Sequence, residues 1–571
     1  MTSVLRGAWR HTLAATLLSL MLAAGSHAAT ITIVNLDDPG EGFNDPTPAD
    51  PVGGNPGTTI GAQRLYVFNY AAAIWGSILP SAVEIKVNAN FDPQTCDASS
   101  AVLGSTSAGS SHRDFANAPF ANTWYQQALA NRLAGVDLNP GVNDMDITFN
   151  SNLCSPGCAF CWYYGVDGNE GTKIELLPVV LHELGHGLGF ATITLAGVQM
   201  GTPPGPHVYD RFLYDLDQDM HWNEMLADPQ RAASALNCQR LVWDGACTAS
   251  GTAARLGPKP LLRVNAPFAA DYEVGLATFG PNPFNVTGDL VLAMDASLPP
   301  LDSPTNACGP LTNAAEIAGK IALVDRGTCP FTLKARNAQD AGAIGIVVVD
   351  SMPGCPPLGM SGVDPTITIP IVRITTDDGA AIKAQLAAGV NVTMFFDPTQ
   401  DAGTAEGKLL VYTPTVFAPG SSVSHWDISA EPSLLMEPFS TAGLSRDPDL
   451  TVNQFDDIGW FGTPGPCLGP VAVEPGAPPA DMILMSPYPN PTPRGATLEF
   501  QIARPEFVRV SIVDVSGRAV RTLHDGVLAP GRHLVQWDGL TTTRAEAPPG
   551  VYLAMLRTSQ GVRAQRIVVA R

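Results

Sequence analysis

In the stretch 62-AQRLYVFNYAAAIWGSIL-79, Leu65, Phe68, Ala72, Trp75 and Leu79 recur at alternating steps of three and four. That spacing predicts a helix with one apolar stripe. Runs with strand character stand on either side, 30-TITIVNL-36 and 82-AVEIKVNANF-91, and another lies at 144-DMDITFNSN-152. A short helix is expected near 122–133. A further helix is expected over about 175–188, with Pro178 in its first turn, where a missing amide hydrogen is tolerated. Gly187 and Gly189 then close it.

The texture changes between about 262 and 400. Short β-rich runs such as 320-KIALVDR-326 and 344-IGIVVVD-350 alternate with Ala/Gly-rich helical ones such as 332-TLKARNAQDAGA-343. This predicts a separate α/β module. The segment 463-TPGPCLGPVAVEPGAPPA-480 has the composition of a linker. Beyond it, evenly spaced short strands (497-TLEFQI-502, 507-FVRVSIVD-514, 550-GVYLAML-556) predict a small β-sandwich. A chain of 571 residues is too long for one core.

Hydrophobic residues make up 45% of the chain and charged ones 15%, the balance of a globular protein. The net charge of −21 argues against a nucleic-acid partner, whose phosphates would be repelled. Arg6 and Arg10 precede the apolar run 13-LAATLLSLMLAAG-25 and then 26-SHA-28. These are the three parts of a secretory signal peptide, with cleavage expected near Ala28 or Ala29. No later segment is long and apolar enough to span a bilayer. The expected location is secreted or extracellular, with the cell surface also open. An even number of cysteines, 10, then favours disulfides, with Cys238–Cys247 and Cys308–Cys329 as close pairs. Cys154, Cys158 and Cys161 have the spacing of a metal cluster, but disulfides are the default reading in that compartment.

The chemistry is concentrated in 181-LHELGHGLGFAT-192. Histidines four apart on a helix project from one face and can share an ion. His182 and His186 therefore read as zinc ligands. Glu183 reads as the general base that takes a proton from a zinc-activated water. A catalytic zinc normally has three protein ligands. Asp210, Glu224 in 222-WNEMLAD-228, and a distant histidine (His112, His207, His221, His425, His524 or His533) are all open for the third place. Weak calcium binding at 215-DLDQD-219 is also open, although that run lacks the glycine of a helix–loop–helix calcium loop.

Three segments resemble a known family when taken together. They are HELGHGLGF at 182–190, SHWD at 424–427 followed by LLMEP at 434–438, and 449-DLTVNQFDDIGWFG-462. They resemble the metzincin zinc metallopeptidases, in the leishmanolysin-like layout where a large insertion precedes the third histidine. The resemblance implies His182, His186 and His425 as zinc ligands, Glu183 as base, and Met436 in a turn beneath the metal. It also implies an edge strand that pairs with the substrate backbone, for which 144–152 is the candidate. Two features depart from the family: no tyrosine closely follows Met436, and no N-terminal propeptide domain is expected. The insertion resembles the protease-associated (PA) domain through 319-GKIALVDRGTCPFTLKARNAQDAGAIGIVVVD-350 and 367-ITIPIVRI-374. The C-terminus resembles the immunoglobulin-like domains of flagellar hook-capping proteins and of type IX sorting signals. Its carriers are 488-YPNP-491, 513-VDVSGRAVRTL-523, 536-QWDG-539 and 549-PGVYLAML-556.

The expected fold class is multidomain: an α+β metzincin-like catalytic domain, an inserted α/β PA domain and an all-β Ig-like sandwich. The expected division is a signal peptide at 1–28, catalytic parts at 29–261 and 406–462, the PA domain at 262–405, a linker at 463–484 and the sandwich at 485–571. The expected function is a secreted zinc-dependent endopeptidase acting on protein or peptide substrates. Secretion machinery is a further partner, through the C-terminal domain. The alternatives are a non-catalytic binding or adhesion protein and a thermolysin-like site using Glu224.

Overall fold

The computed structural model describes residues 28–296, 303–439 and 445–462, Cys467, and most positions from 483 to 570. The signal peptide and the linker expected from the sequence lie almost wholly outside the described residues.

The first unit is built on a four-stranded sheet. Strands β1 (Ile31–Asn35), β2 (Ile85–Asp92) and β4 (Met145–Asn150) run parallel, and β3 (Gly104–Ala108) pairs antiparallel with β4. The order is β1–β2–β4–β3. Alternate residues of β2, namely Ile85, Val87, Ala89 and Phe91, are buried, as a pleated strand with one covered face requires. The strand at 144–152 is therefore internal and cannot pair with a substrate. The edge is β3, which carries small and polar residues and gives no hydrophobic alternation in the sequence.

Helix α1 (Ile60–Ile78) lies on this sheet. Phe68, Ala72, Trp75 and Leu79 of the predicted stripe are buried, and Val67, Ala71, Ile74 and Ile78 widen the buried face, while Leu65 is only half-buried. Gln63 and Arg64 are buried in the first turns because backbone carbonyls satisfy them. Gln63 Nε2 donates to Asp50 O at 2.7 Å, and Arg64 Nη1 donates to Gly42 O at 3.0 Å. The helix expected near 122–133 is α2 (Gln127–Ala134), and a short strand, Trp124–Gln126, takes its first residues. The motif helix α3 (Leu176–Leu188) packs against α1 and β3 and ends at Gly189, whose φ is +134°.

A second, five-stranded sheet is drawn from both sides of the insertion. Met220–His221, Leu213–Asp215 and Leu241–Trp243 precede it in the chain, and Lys408–Leu410 and Thr404–Ala405 follow it. Val242 pairs with Leu410 and Trp243 with Leu409, so the two parts of the first unit close into one core. Between them stands an eight-stranded sheet reaching from Pro258 to Asp401. Asn285–Leu292, Ile321–Asp325, Gly345–Val349 and Ile371–Ile374 are parallel neighbours in it, with helices Phe331–Asp340 and Thr376–Lys383 among them. Apolar clusters cover both faces, as parallel strands demand. The first strand of this sheet starts at Pro258, and Thr404–Ala405 pairs in the neighbouring five-stranded sheet. At the C-terminus, antiparallel sheets of three and four strands share one core that includes Leu498, Phe500, Val510, Trp537 and Leu556.

The ten cysteines form five disulfides: Cys96–Cys158, Cys154–Cys161, Cys238–Cys355, Cys247–Cys467 and Cys308–Cys329. Cys308–Cys329 is the pair expected from the sequence. Cys238 and Cys247 do not pair with each other. Cys238 instead staples the insertion to the first unit through Cys355, and Cys154, Cys158 and Cys161 are all consumed in disulfides.

Candidate metal centre

Helix α3 presents His182 and His186 on one face, and a loop 239 residues beyond His186 returns His425 to them. The Nε2 atoms lie 3.0 Å apart for His182 and His186, 3.1 Å for His182 and His425, and 3.3 Å for His186 and His425. Each ring donates its Nδ1–H to a backbone carbonyl: His182 to Leu435 at 2.7 Å, His186 to Phe190 at 2.7 Å and His425 to Ser421 at 2.8 Å. A carbonyl can only accept, so these bonds fix the tautomers and leave three bare Nε2 lone pairs facing one another. Among the described residues, no donor is recorded at these Nε2 atoms besides one another.

That arrangement suits a cation. Four-coordinate zinc with Zn–N bonds of about 2.0–2.1 Å sets its ligand nitrogens roughly 3.3 Å apart. Burial also holds all three rings neutral. His182 is pushed down to about 4, His186 to about 3 with the neighbouring His182 adding to the effect, and His425 well below its ordinary value. Neutral imidazoles are the ligand form. The residues present therefore fit zinc.

Glu183 is buried beside the trio. Burial lifts its carboxyl to about 7, while Thr106 on β3 opposes the shift by donating from Oγ1 to Oε2 at 2.8 Å. A Cβ at Gly104, also on β3, would stand 3.0 Å from Glu183 Oε1, so the absence of a side chain there makes room for the carboxylate. Sequence reasoning missed Gly104 and Thr106 because β3 has neither apolar periodicity nor a motif.

Met436 lies directly under the helix. A Cβ at Gly185 would come 2.7 Å from Met436 Sδ, so the glycine inside the His-Glu-x-x-His stretch is a packing requirement. Gly185→Val is expected to destabilise the protein by about 2–3 kcal/mol through overpacking against buried Met436. The shift of the denaturant midpoint at unchanged slope measures it. An unshifted midpoint would show that the contact is soft. The segment bearing His425 is sewn to the same turn, with Trp426 N–H donating to Met436 O at 2.8 Å.

The other sequence candidates stand apart from the trio, which is the sole metal-capable His/Cys/Asp/Glu group among the described residues. Asp210 is buried and accepts from Thr194 Oγ1 at 2.6 Å, from the His207 amide at 3.0 Å and from Thr192 Oγ1. Glu224 is exposed and accepts from the His221 amide at 3.0 Å. In 215–219, Asp215 accepts from the amides of Asp217 and Gln218, Asp217 pairs with Arg240, and Asp219 accepts from Tyr214. Those carboxylates are occupied by donors within the chain. Thr192 stands where a continuous motif would carry the third histidine, and its amide lies 3.3 Å from Ser424 Oγ. The long excursion thus returns the chain to the neighbourhood it left.

Comparison with known proteins adds the insertion's family. The PA domain matches residues 286–382, the parallel strands and their helices. The ER degradation-enhancing alpha-mannosidase-like protein 3 of Xenopus laevis is 35% identical over 136 residues, 22% of this chain and 15% of that protein. Probable lipoprotein aminopeptidase LpqL of Mycobacterium tuberculosis is 33% identical over 109 residues, 19% of this chain and 20% of that protein. A solved aminopeptidase from Aneurinibacillus sp. strain AM-1 is 26% identical, covering 25% of this chain and 31% of its own, with a TM-score of 0.19. The chain spans less than a quarter of these curated relatives. The protein is thus a multidomain α/β chain that carries a PA domain, with peptidases among its relatives.

Proposed function

We propose that this protein is a secreted zinc-dependent endopeptidase of metzincin type. The observation that carries the reading is the convergence of three bare Nε2 atoms within 3.3 Å beside a buried glutamate. His182, His186 and His425 would hold the zinc. When bound, the ion supplies Lewis-acid polarisation of a peptide carbonyl and makes water acidic enough to react near neutral pH.

The chain's own residues do the rest. Glu183 accepts the proton of the attacking water and returns it to the leaving amine. Thr106 holds one carboxylate oxygen so that the other faces the reacting water. Strand β3 ends the sheet order, and its outer edge would pair with an extended peptide. Met436 supports the floor under Gly185. Five disulfides accord with an oxidising, extracellular compartment.

Dialysis against a chelator is expected to abolish cleavage of a denatured, N-acetylated protein substrate, and stoichiometric zinc is expected to restore it. The blocked amino terminus separates an endopeptidase from an aminopeptidase. Cleavage that persists in the stripped protein, or that requires a free amino terminus, would refute the reading.

A further inference from the structure

We propose that Asp449 is a positioning residue for the metal centre, acting on His182 by fixing the backbone of Leu435; the proposal rests on the zinc reading above. Asp449 lies two residues before the helix Thr451–Ile458, and its side chain is fully buried, with 0% exposure. Its Oδ2 accepts the Leu435 N–H at 2.5 Å. The carbonyl of the same residue accepts His182 Nδ1–H at 2.7 Å. A carboxylate and a ligand imidazole are therefore coupled across one residue of the turn that contains Met436. The coupling is geometric: a backbone N–H held by a buried carboxylate fixes the φ and ψ of Leu435 and so the direction of its carbonyl. A carbonyl held this way fixes the ring's orientation and raises the basicity of its free nitrogen.

Two further contacts keep the carboxylate from turning away. Oδ1 lies 3.2 Å from the Thr451 amide and 3.1 Å from Thr451 Oγ1. Arg255 stands close by, with Nη2 4.0 Å from Asp449 Oδ2 while it bonds Asp447 at 3.0 Å. The backbone carries the mark of this demand: Asp449 has φ +34°, a conformation that costs most residues and is best tolerated by glycine, asparagine and aspartate. A helix cap alone would need only Oδ1. The second oxygen is spent on Leu435.

The role is tested in the full-length, zinc-loaded protein with Asp449→Asn and Asp449→Gly. Both substitutions accept the positive φ, so neither adds backbone strain. The first removes the charge and one acceptor, and the second removes the whole carboxylate. Zinc release into excess chromophoric chelator is expected to accelerate about 10-fold in the first variant and up to about 100-fold in the second, the range for partners of metal-ligating histidines. The rise in unfolding temperature that zinc confers should shrink in the same order. Unchanged release, with equal loss of stability in the loaded and stripped forms, would make Asp449 a helix cap only and overturn the proposal. A wild-type protein that binds no zinc would instead overturn the zinc reading itself.

Discussion

His425→Ala is expected to leave purification without its zinc. The wild-type protein should carry about one ion per chain, and the variant less than about a tenth of that, since two imidazoles from one helix are too few ligands for a stable catalytic site. The expectation follows from where the ring stands. Its Nε2 lies 3.1 Å and 3.3 Å from those of the two helix histidines, and its Nδ1–H is already committed to Ser421. Neither Glu224 nor Asp210 can take its place without leaving the donors each now holds. Metal analysis and peptidase assay should fall together. A variant that keeps one tightly bound ion would mean that another group supplies the third bond.

Glu183→Gln should separate binding from chemistry. Glutamine has the same shape, and its carbonyl oxygen can still accept from Thr106, so the pocket between Gly104 and the trio stays filled. What it loses is the ability to take a proton. General base catalysis is worth about 10²–10⁴ in rate, so kcat should fall by that factor while zinc content and KM stay near wild type. A loss of zinc together with activity would assign Glu183 a structural role. Retention of activity would remove it from the mechanism.

Much of this centre was legible in the sequence because its chemistry is carried by side chains with a fixed spacing. His182 and His186 announce themselves by the helical step of four. Met436 became meaningful only through its place after His425. Three features could not be read. The carbonyls of Leu435, Phe190 and Ser421 are backbone atoms and leave no trace in residue identity. Strand β3 is Gly-Ser-Thr-Ser-Ala, chosen to make room for Glu183 rather than to cover a core, so it lacks the alternation by which strands are found. The partner of Cys238 lies 117 residues away inside the insertion, whereas Cys247 is much nearer in sequence; proximity in the chain misled because the fold decides which sulfurs meet. The stripe of α1 was legible at Phe68, Ala72, Trp75 and Leu79, but the burial of Gln63 and Arg64 was not, because loop carbonyls that the sequence does not show satisfy them.

The chain enters and leaves its PA insertion at one point. Ala402 N–H donates to Gly257 O at 2.9 Å, and Gly257 N–H donates to Glu431 O at 2.7 Å in the loop between His425 and Met436. Seen from descent, this is a docking port. A domain whose own ends lie close together can be exchanged there, or the gap sealed by a tight turn, at little cost in chain entropy, and the first unit keeps its core. Cys238 would register the swap covalently, since its disulfide partner Cys355 travels with the insertion.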